Sequence, residues 1–269
     1  CRWMEKLIMV SDEEAISQYT HNLKFLKSMK QFHRFNDSYF SSASSIRYEG
    51  DTITITMENI LSDVKILRKP EFETVRYNTK LSFIPSERNL VSVIRNIDQS
   101  YRSAESDVLF NYIFEWGEAK DSYTAEHPKR LSFTDNIEYI NDGGNDLVRL
   151  INENKMIPAY YASSGVQSAM PLDVMADYFT GLVGKNASVS KHDLANTLAR
   201  YLGKDKELTN EMLKSISNKM KYQSVQLFIE EPEQNLYPDS QRNLTINLVC
   251  ALKQAMPKGR GDSMLVMTT

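Results

Sequence analysis

The chain reads as an α/β protein, and three features of the sequence predict this. A short apolar run, Val225-Gln226-Leu227-Phe228-Ile229, is followed by an amphipathic helical stretch opened by Pro238 and then by a second apolar run, Leu265-Val266-Met267. A strand, a crossover helix and a strand in that order form one right-handed parallel unit, and apolar runs of this kind suit strands buried on both faces. Alternating patterns at 45–57 and 136–150 add hairpins, while helical periodicity fills the longer intervals. An antiparallel β portion and a helical insertion are therefore expected beside the parallel core.

Taken in order, Cys1–Val10 reads as a helix, and a second helix follows from Asp12 to Met29. Ser11 and Asp12 can cap the second, Glu13 and Glu14 favour its positive end, and Ile16, Tyr19, Leu23 and Leu26 recur on one face. Strands come next at Ser45–Glu49 and Thr52–Met57 around a Gly50-Asp51 turn, then at Val64–Leu67 and Leu81–Ile84. Pro85-Ser86-Glu87-Arg88-Asn89 ends that last strand and starts a helix to Tyr101. Ser103–Glu118 is a further helix, carrying Val108, Leu109, Tyr112, Ile113 and Trp116. Asn136–Ile140 and Asp146–Leu150 flank an Asn141–Asn145 turn, and helices at Ser164–Leu182, Lys191–Leu202 and Leu208–Tyr222 lead to the Val225 strand.

The 269 residues are 41% hydrophobic and 25% charged, a globular balance. The net charge of −3 gives no overall basic field for nucleic acid, although a local patch is compatible with it. Cys1 and Cys250 lie far apart without metal-ligand spacing and read as free thiols in a reducing compartment. No apolar run approaches the roughly 18–20 residues that span a bilayer, and the charged start Cys1-Arg2-Trp3-Met4-Glu5-Lys6 is unlike a signal peptide. A cytoplasmic protein without membrane contact is expected. The chain opens on Cys inside a helical pattern and stops at the end of a strand, so it reads as truncated at both ends.

The chemistry centres on Glu230-Glu231-Pro232, directly after the Val225 strand. Two carboxylates at a buried strand end are costly without a cation or a donor, and ligands of open α/β sheets sit at the carboxyl ends of the strands. One carboxylate can hold Mg²⁺ through its water shell while the next polarises an attacking water, as phosphoryl transfer requires. The competing reading is an acidic turn that merely initiates a helix. Upstream, Ala162-Ser163-Ser164-Gly165-Val166-Gln167-Ser168 opens a helix: either serine can cap it, Gly165 permits close backbone approach, and its N-terminus favours an anion.

Leu227–Pro238 resembles the Walker B strand and D-loop of ABC-class P-loop ATPases, in particular the OLD-like soluble AAA ATPases of bacteria, and Ser163–Ser168 resembles their signature motif. The resemblance implies Glu230 on the Mg²⁺ side, where most ABC ATPases have Asp, and Glu231 as the catalytic carboxylate. It implies Ser163, Ser164, Gly165 and Gln167 as the element that reaches the γ-phosphate of ATP bound on the opposite subunit. The segment around Arg88 resembles a family stretch after a strand, and Arg88 is expected at a phosphate or paired with an acidic neighbour. Thr268-Thr269 resembles the end of the strand that precedes the family's switch histidine, which this sequence does not contain. The long interval between Gln167 and Leu227 departs from transporter cassettes and points to a soluble relative.

No Gly-x-x-x-x-Gly-Lys-Ser/Thr loop occurs. The nearest imitation, Gly181-Leu182-Val183-Gly184-Lys185-Asn186, follows a helix and reads as its C-terminal cap. Arg260-Gly261-Asp262 reads as a turn, the Asn36, Asn186 and Asn243 sequons as incidental, and His21, His33, His127 and His192 as scattered without metal spacing. The expectation is one incomplete ABC-type head over 1–269: a helical and β part at 1–162, the signature helix and helical insertion at 163–222, and the Walker B and D-loop βαβ part at 223–269. The resemblance implies MgATP hydrolysis, a homodimer formed around ATP, and a nuclease or toxin partner or nucleic acid as associates. A non-enzymatic ATP-dependent clamp and a scaffold that binds no nucleotide stand as alternatives.

Overall fold

A computed structural model describes residues 24–50, 53–70, 78–94, 97, 107–185, 221–259 and 262–269. The expected helix at Cys1–Val10, most of the next, the Asp51 turn position, the Arg260-Gly261 turn and residues 191–220 of the insertion helices lie outside the described residues. The helix expected to run to Tyr101 instead ends at Val93, where Ile94 is extended, and Tyr222 belongs to a strand rather than to the end of a helix. Among the described residues no helix is long and apolar enough to cross a membrane.

The elements are α1 (Lys24–Phe32), β1 (Ile46–Glu49), β2 (Ile53–Met57), β3 (Lys65–Arg68), β4 (Asn78–Ile84), a 3-10 turn at Ser86–Asn89 leading into the short α2 (Leu90–Val93), and α3 (Val108–Lys120). They continue with β5 (Lys129–Arg130), β6 (Ile137–Asp142), β7 (Asn145–Leu150), β8 (Lys155–Pro158), a 3-10 turn at Ala159–Tyr161, α4 (Ser164–Leu182), β9 (Tyr222–Glu230), α5 (Pro238–Ala255), a 3-10 turn at Met256–Lys258, and β10 (Met264–Thr268). The protein is mixed α/β.

Three sheets result. The strand β9 lies between β10 and β4, parallel to both. The antiparallel sheet β1-β2-β3 packs Ile53, Ile55 and Met57 with Leu26 of α1 in a small core of its own. The antiparallel sheet β5-β6-β7-β8 is larger than the sequence predicts, because β5 and β8 are too short to show an alternation. Its hairpin turn is also tighter than expected: Asp142 pairs with Asn145 across Gly143-Gly144 alone.

In the parallel sheet, Lys80, Ser82 and Ile84 align with Val225, Leu227 and Ile229. The apolar members of this face join Trp116 of α3, Phe179 of α4 and Leu248 of α5 in the main core. Two polar members of the face are buried as well. Lys80 Nζ donates to Glu115 Oε1 at 2.6 Å, Ser82 Oγ donates to Glu115 Oε2 at 2.6 Å, and the Lys80 ammonium lies 4.5 Å from the centre of the Phe179 ring. A buried ion pair of this kind holds only when both members and their remaining hydrogen bonds are present.

The helix α4 carries Pro171 in its interior. Proline has no N–H, so the carbonyl one turn back, that of Gln167, receives no helical hydrogen bond. Ser92 Oγ of α2 donates to that carbonyl at 2.8 Å, and Arg88 Nε donates to the next one, Ser168, at 2.9 Å. The C-terminal end of α4 follows the expected cap: Gly184, at φ +78°, donates its N–H to the Tyr222 carbonyl, where an added Cβ would meet the Lys258 carbonyl at 2.3 Å.

Candidate functional site at the carboxyl end of the parallel sheet

The parallel register brings three strand ends level, since Ile84 pairs with Ile229 and Glu230 with Thr268. Each chain segment leaving the sheet there is fixed by its main chain. The Glu231 N–H donates to the Thr268 carbonyl at 2.7 Å, and the Gln234 N–H donates back to the Glu231 carbonyl at 3.0 Å. Glu231 itself adopts φ +45°, a left-handed conformation that a non-glycine residue holds only at a cost of about 1–3 kcal/mol, when its surroundings over-determine it. Its backbone is thus immobilised while its side chain is exposed to solvent. Glu230 is half-buried, and its Oε2 accepts the Ser86 N–H at 3.3 Å. Glu230 and Glu231 thus place two carboxylates at the carboxyl end of the parallel sheet.

The loop after the carboxylates, 231–237, packs against the start of α4. Gly165 lies so close to it that a Cβ there would meet the Asn235 carbonyl at 2.8 Å. Ser168 Oγ donates to Gln234 Oε1 at 3.1 Å. Of the two serines that could cap α4, Ser163 does so, its Oγ accepting the Val166 N–H at 3.4 Å. Ser164 is exposed in the first turn. Gln167 turns back along its own chain, its Nε2 donating to the Tyr160 carbonyl at 2.9 Å. Exposed Tyr160, Tyr161 and Tyr237 border these segments in sequence.

Arg88 is placed differently from the expectation of a phosphate contact. Its side chain is fully buried, and beyond the Ser168 carbonyl it donates from Nη1 to the Glu230 carbonyl at 2.7 Å and from Nη2 to the Glu231 carbonyl at 2.6 Å. A longer contact runs from Nη1 to the Pro85 carbonyl at 3.4 Å. Tyr112 Oη donates to the Arg88 carbonyl at 2.7 Å from the core side. Burial pushes the guanidinium pKa down from its ordinary value, and Tyr112 and the carboxylates of Glu231, Glu233 and Glu230 oppose that shift. Arg88 therefore straps the site together from beneath and leaves its surface to the carboxylates.

The structure packs the start of α4, with Ser163, Ser164 and Gly165, beside the loop that follows Glu230 and Glu231, a neighbourhood within one chain that the sequence does not predict. Sequence reading also misses Ser92, Ser168, Gln234 and Tyr112. A helical Pro171 was the one available signal, because it obliges some other donor to serve the Gln167 carbonyl.

Comparison with protein-family models, curated proteins and solved structures yields no match. Among the described residues no group of three or more His, Cys, Asp or Glu side chains forms a metal cage. A Mg²⁺ ion that takes one carboxylate and completes its shell with phosphate oxygens and water needs no such cage, so Glu230 fits that role.

Proposed function

We propose that this chain carries the acidic strand end and the trans-acting helix of an ABC-class, OLD-like P-loop ATPase head, and that the natural full-length protein hydrolyses MgATP. The observation that carries the reading is the placement of Glu230 and Glu231 at the level ends of three parallel strands, with the following loop packed on the start of α4 through Gly165 and Ser168. A fixed backbone with a solvent-facing carboxylate suits Glu231 to orient a water and accept its proton during attack on the γ-phosphate. Glu230 is suited to hold Mg²⁺, directly or through its water shell. The ion supplies neutralisation of the charge on the phosphate oxygens.

The exposed start of α4, with Ser163 capping it and Ser164 at the surface, is suited to meet an anion presented by a second protomer, since helix N-termini favour negative charge. On this reading two heads close around ATP as a homodimer. The reading requires a phosphate-cradling loop, which these 269 residues do not contain. A nuclease or toxin partner and nucleic acid as an associate rest on the sequence resemblance alone, whereas a cytoplasmic setting rests on the widely spaced cysteines and the charged start of the chain.

The deciding experiment is steady-state MgATP hydrolysis by the natural full-length protein and its Glu231→Gln variant. The substitution keeps shape and removes the charge that orients water, so turnover falls by about 10²-fold or more while nucleotide binding is retained. Unchanged turnover would leave Glu230-Glu231-Pro232 as a helix-initiating turn. Nucleotide-driven dimerisation without turnover in the parent protein would identify the non-enzymatic clamp.

A further inference from the structure

We propose that Arg88 is a positioning residue that sets the left-handed backbone of Glu231 and couples it rigidly to α4. Its guanidinium joins two segments at once, bonding the carbonyls of Glu230 and Glu231 at the end of β9 and that of Ser168 inside α4. No other side chain described at the site bonds both the acidic turn and the helix backbone. The planar fork matters here. One rigid group aims its N–H bonds in fixed directions, whereas an ammonium on a flexible stem fixes none of them.

Two features show why such a strap is needed. Glu231 sits at φ +45°, where a carboxylate-bearing residue does not rest unaided. Pro171 removes one bond from the hydrogen-bond ladder of α4 at the turn that Arg88 and Ser92 grip, so the Gln167 carbonyl there is served from outside the helix. With Arg88 in place, Ser164 at the start of α4 and Glu231 at the strand end belong to one rigid unit. Contact at the helix is then felt at the carboxylate. As a mechanism for hydrolysis this rests on the ATPase reading above; as a statement about backbone geometry it does not.

The test uses Arg88→Lys in the natural full-length protein, with two readouts. Hydrogen exchange across 229–236 should accelerate, while the β6–β7 hairpin keeps the parent's protection. In steady-state hydrolysis, kcat should fall by at least about tenfold but by no more than in Glu231→Gln, with KM for MgATP little changed. Introduced into Glu231→Gln, the Arg88→Lys change should cause no further loss, because it acts through the group already removed. Should Arg88→Lys not fold, Arg88→Gln takes its place; if neither folds, Arg88 is only a core residue and the proposal is overturned. It is also overturned if a folded variant keeps the parent's exchange rates at 229–236, or if its loss of kcat multiplies with that of Glu231→Gln. A full-length parent that hydrolyses no ATP would sink the ATPase reading instead, and the exchange readout alone would then decide the role of Arg88.

Discussion

Ser92 Oγ donates at 2.8 Å to the Gln167 carbonyl, the group that Pro171 leaves without a helical partner. The bond substitutes a side-chain donor from α2 for the missing N–H of α4. Ser92→Ala should cost about 1–3 kcal/mol by leaving that carbonyl unsatisfied in the protein interior. In a Pro171→Ala background the new N–H can serve the carbonyl, so the cost of Ser92→Ala should shrink. A double-mutant cycle by urea denaturation measures both, and equal costs in the two backgrounds would show that Ser92 does not stand in for the helix bond.

Gly165 is held against the Asn235 carbonyl without room for a side chain. Gly165→Ala places a Cβ where it must push the loop after Glu231 away from α4. A destabilisation of about 1–3 kcal/mol is expected, as for other overpacked sites. Thermal or chemical denaturation gives the number, and a neutral outcome would mean that the loop yields freely.

The Lys80–Glu115 pair lies in the core with Ser82 as its third member. Lys80→Met alone strands the Glu115 carboxylate and should cost about 3–5 kcal/mol. Replacing the group as a whole, with Lys80→Met, Ser82→Ala and Glu115→Leu together, should recover most of that loss. Recovery in equilibrium unfolding would identify the pair as an internally compensated unit; a triple variant as unstable as the single one would refute this.

Asp173 is buried, accepts the Ser132 N–H and lies 3.7 Å from Lys129 Nζ. Desolvation by burial raises its pKa and the charge of Asp177 adds to the rise, opposed by Lys129 and by the Ser132 N–H. The folded protein therefore holds this proton at a pH where the unfolded chain has released it. The corresponding stability is fully present below the ordinary aspartate value of about 4 and is lost as pH rises through the folded value. Stability of the parent minus that of Asp173→Asn should accordingly fall with pH from about 4 upward and then level. A difference that rises with pH across that window would mean that Lys129 and Ser132 outweigh the burial.

Ser164 stands at the exposed start of α4. On the proposed function, Ser164→Arg blocks the approach of a γ-phosphate from a second protomer. Light scattering of full-length Glu231→Gln protein should show a dimer on adding MgATP, and the Ser164→Arg derivative should remain monomeric with nucleotide affinity near that of its parent. A derivative that still dimerises would reduce Ser164 to a helix residue without a role across the interface.

The α/β class, the extent of α4, the β9–α5–β10 unit and the location of the acidic pair are legible before folding, because each is written in local periodicity, a cap or a proline at a helix start. Ser163 and Pro238 act over three or four residues, and such signals survive without knowledge of the fold. Arg88 shows what could not be read: nothing within its own segment tells whether its guanidinium faces solvent or the carbonyls of residues more than 140 positions away. The short strands β5 and β8, the burial of Lys80 and the left-handed backbone of Glu231 belong to the same category. Each follows from which segments of the chain meet in the folded protein. Hydrogen-bonding groups trapped between those segments have to find partners across the chain, and only the tertiary structure decides which ones they find.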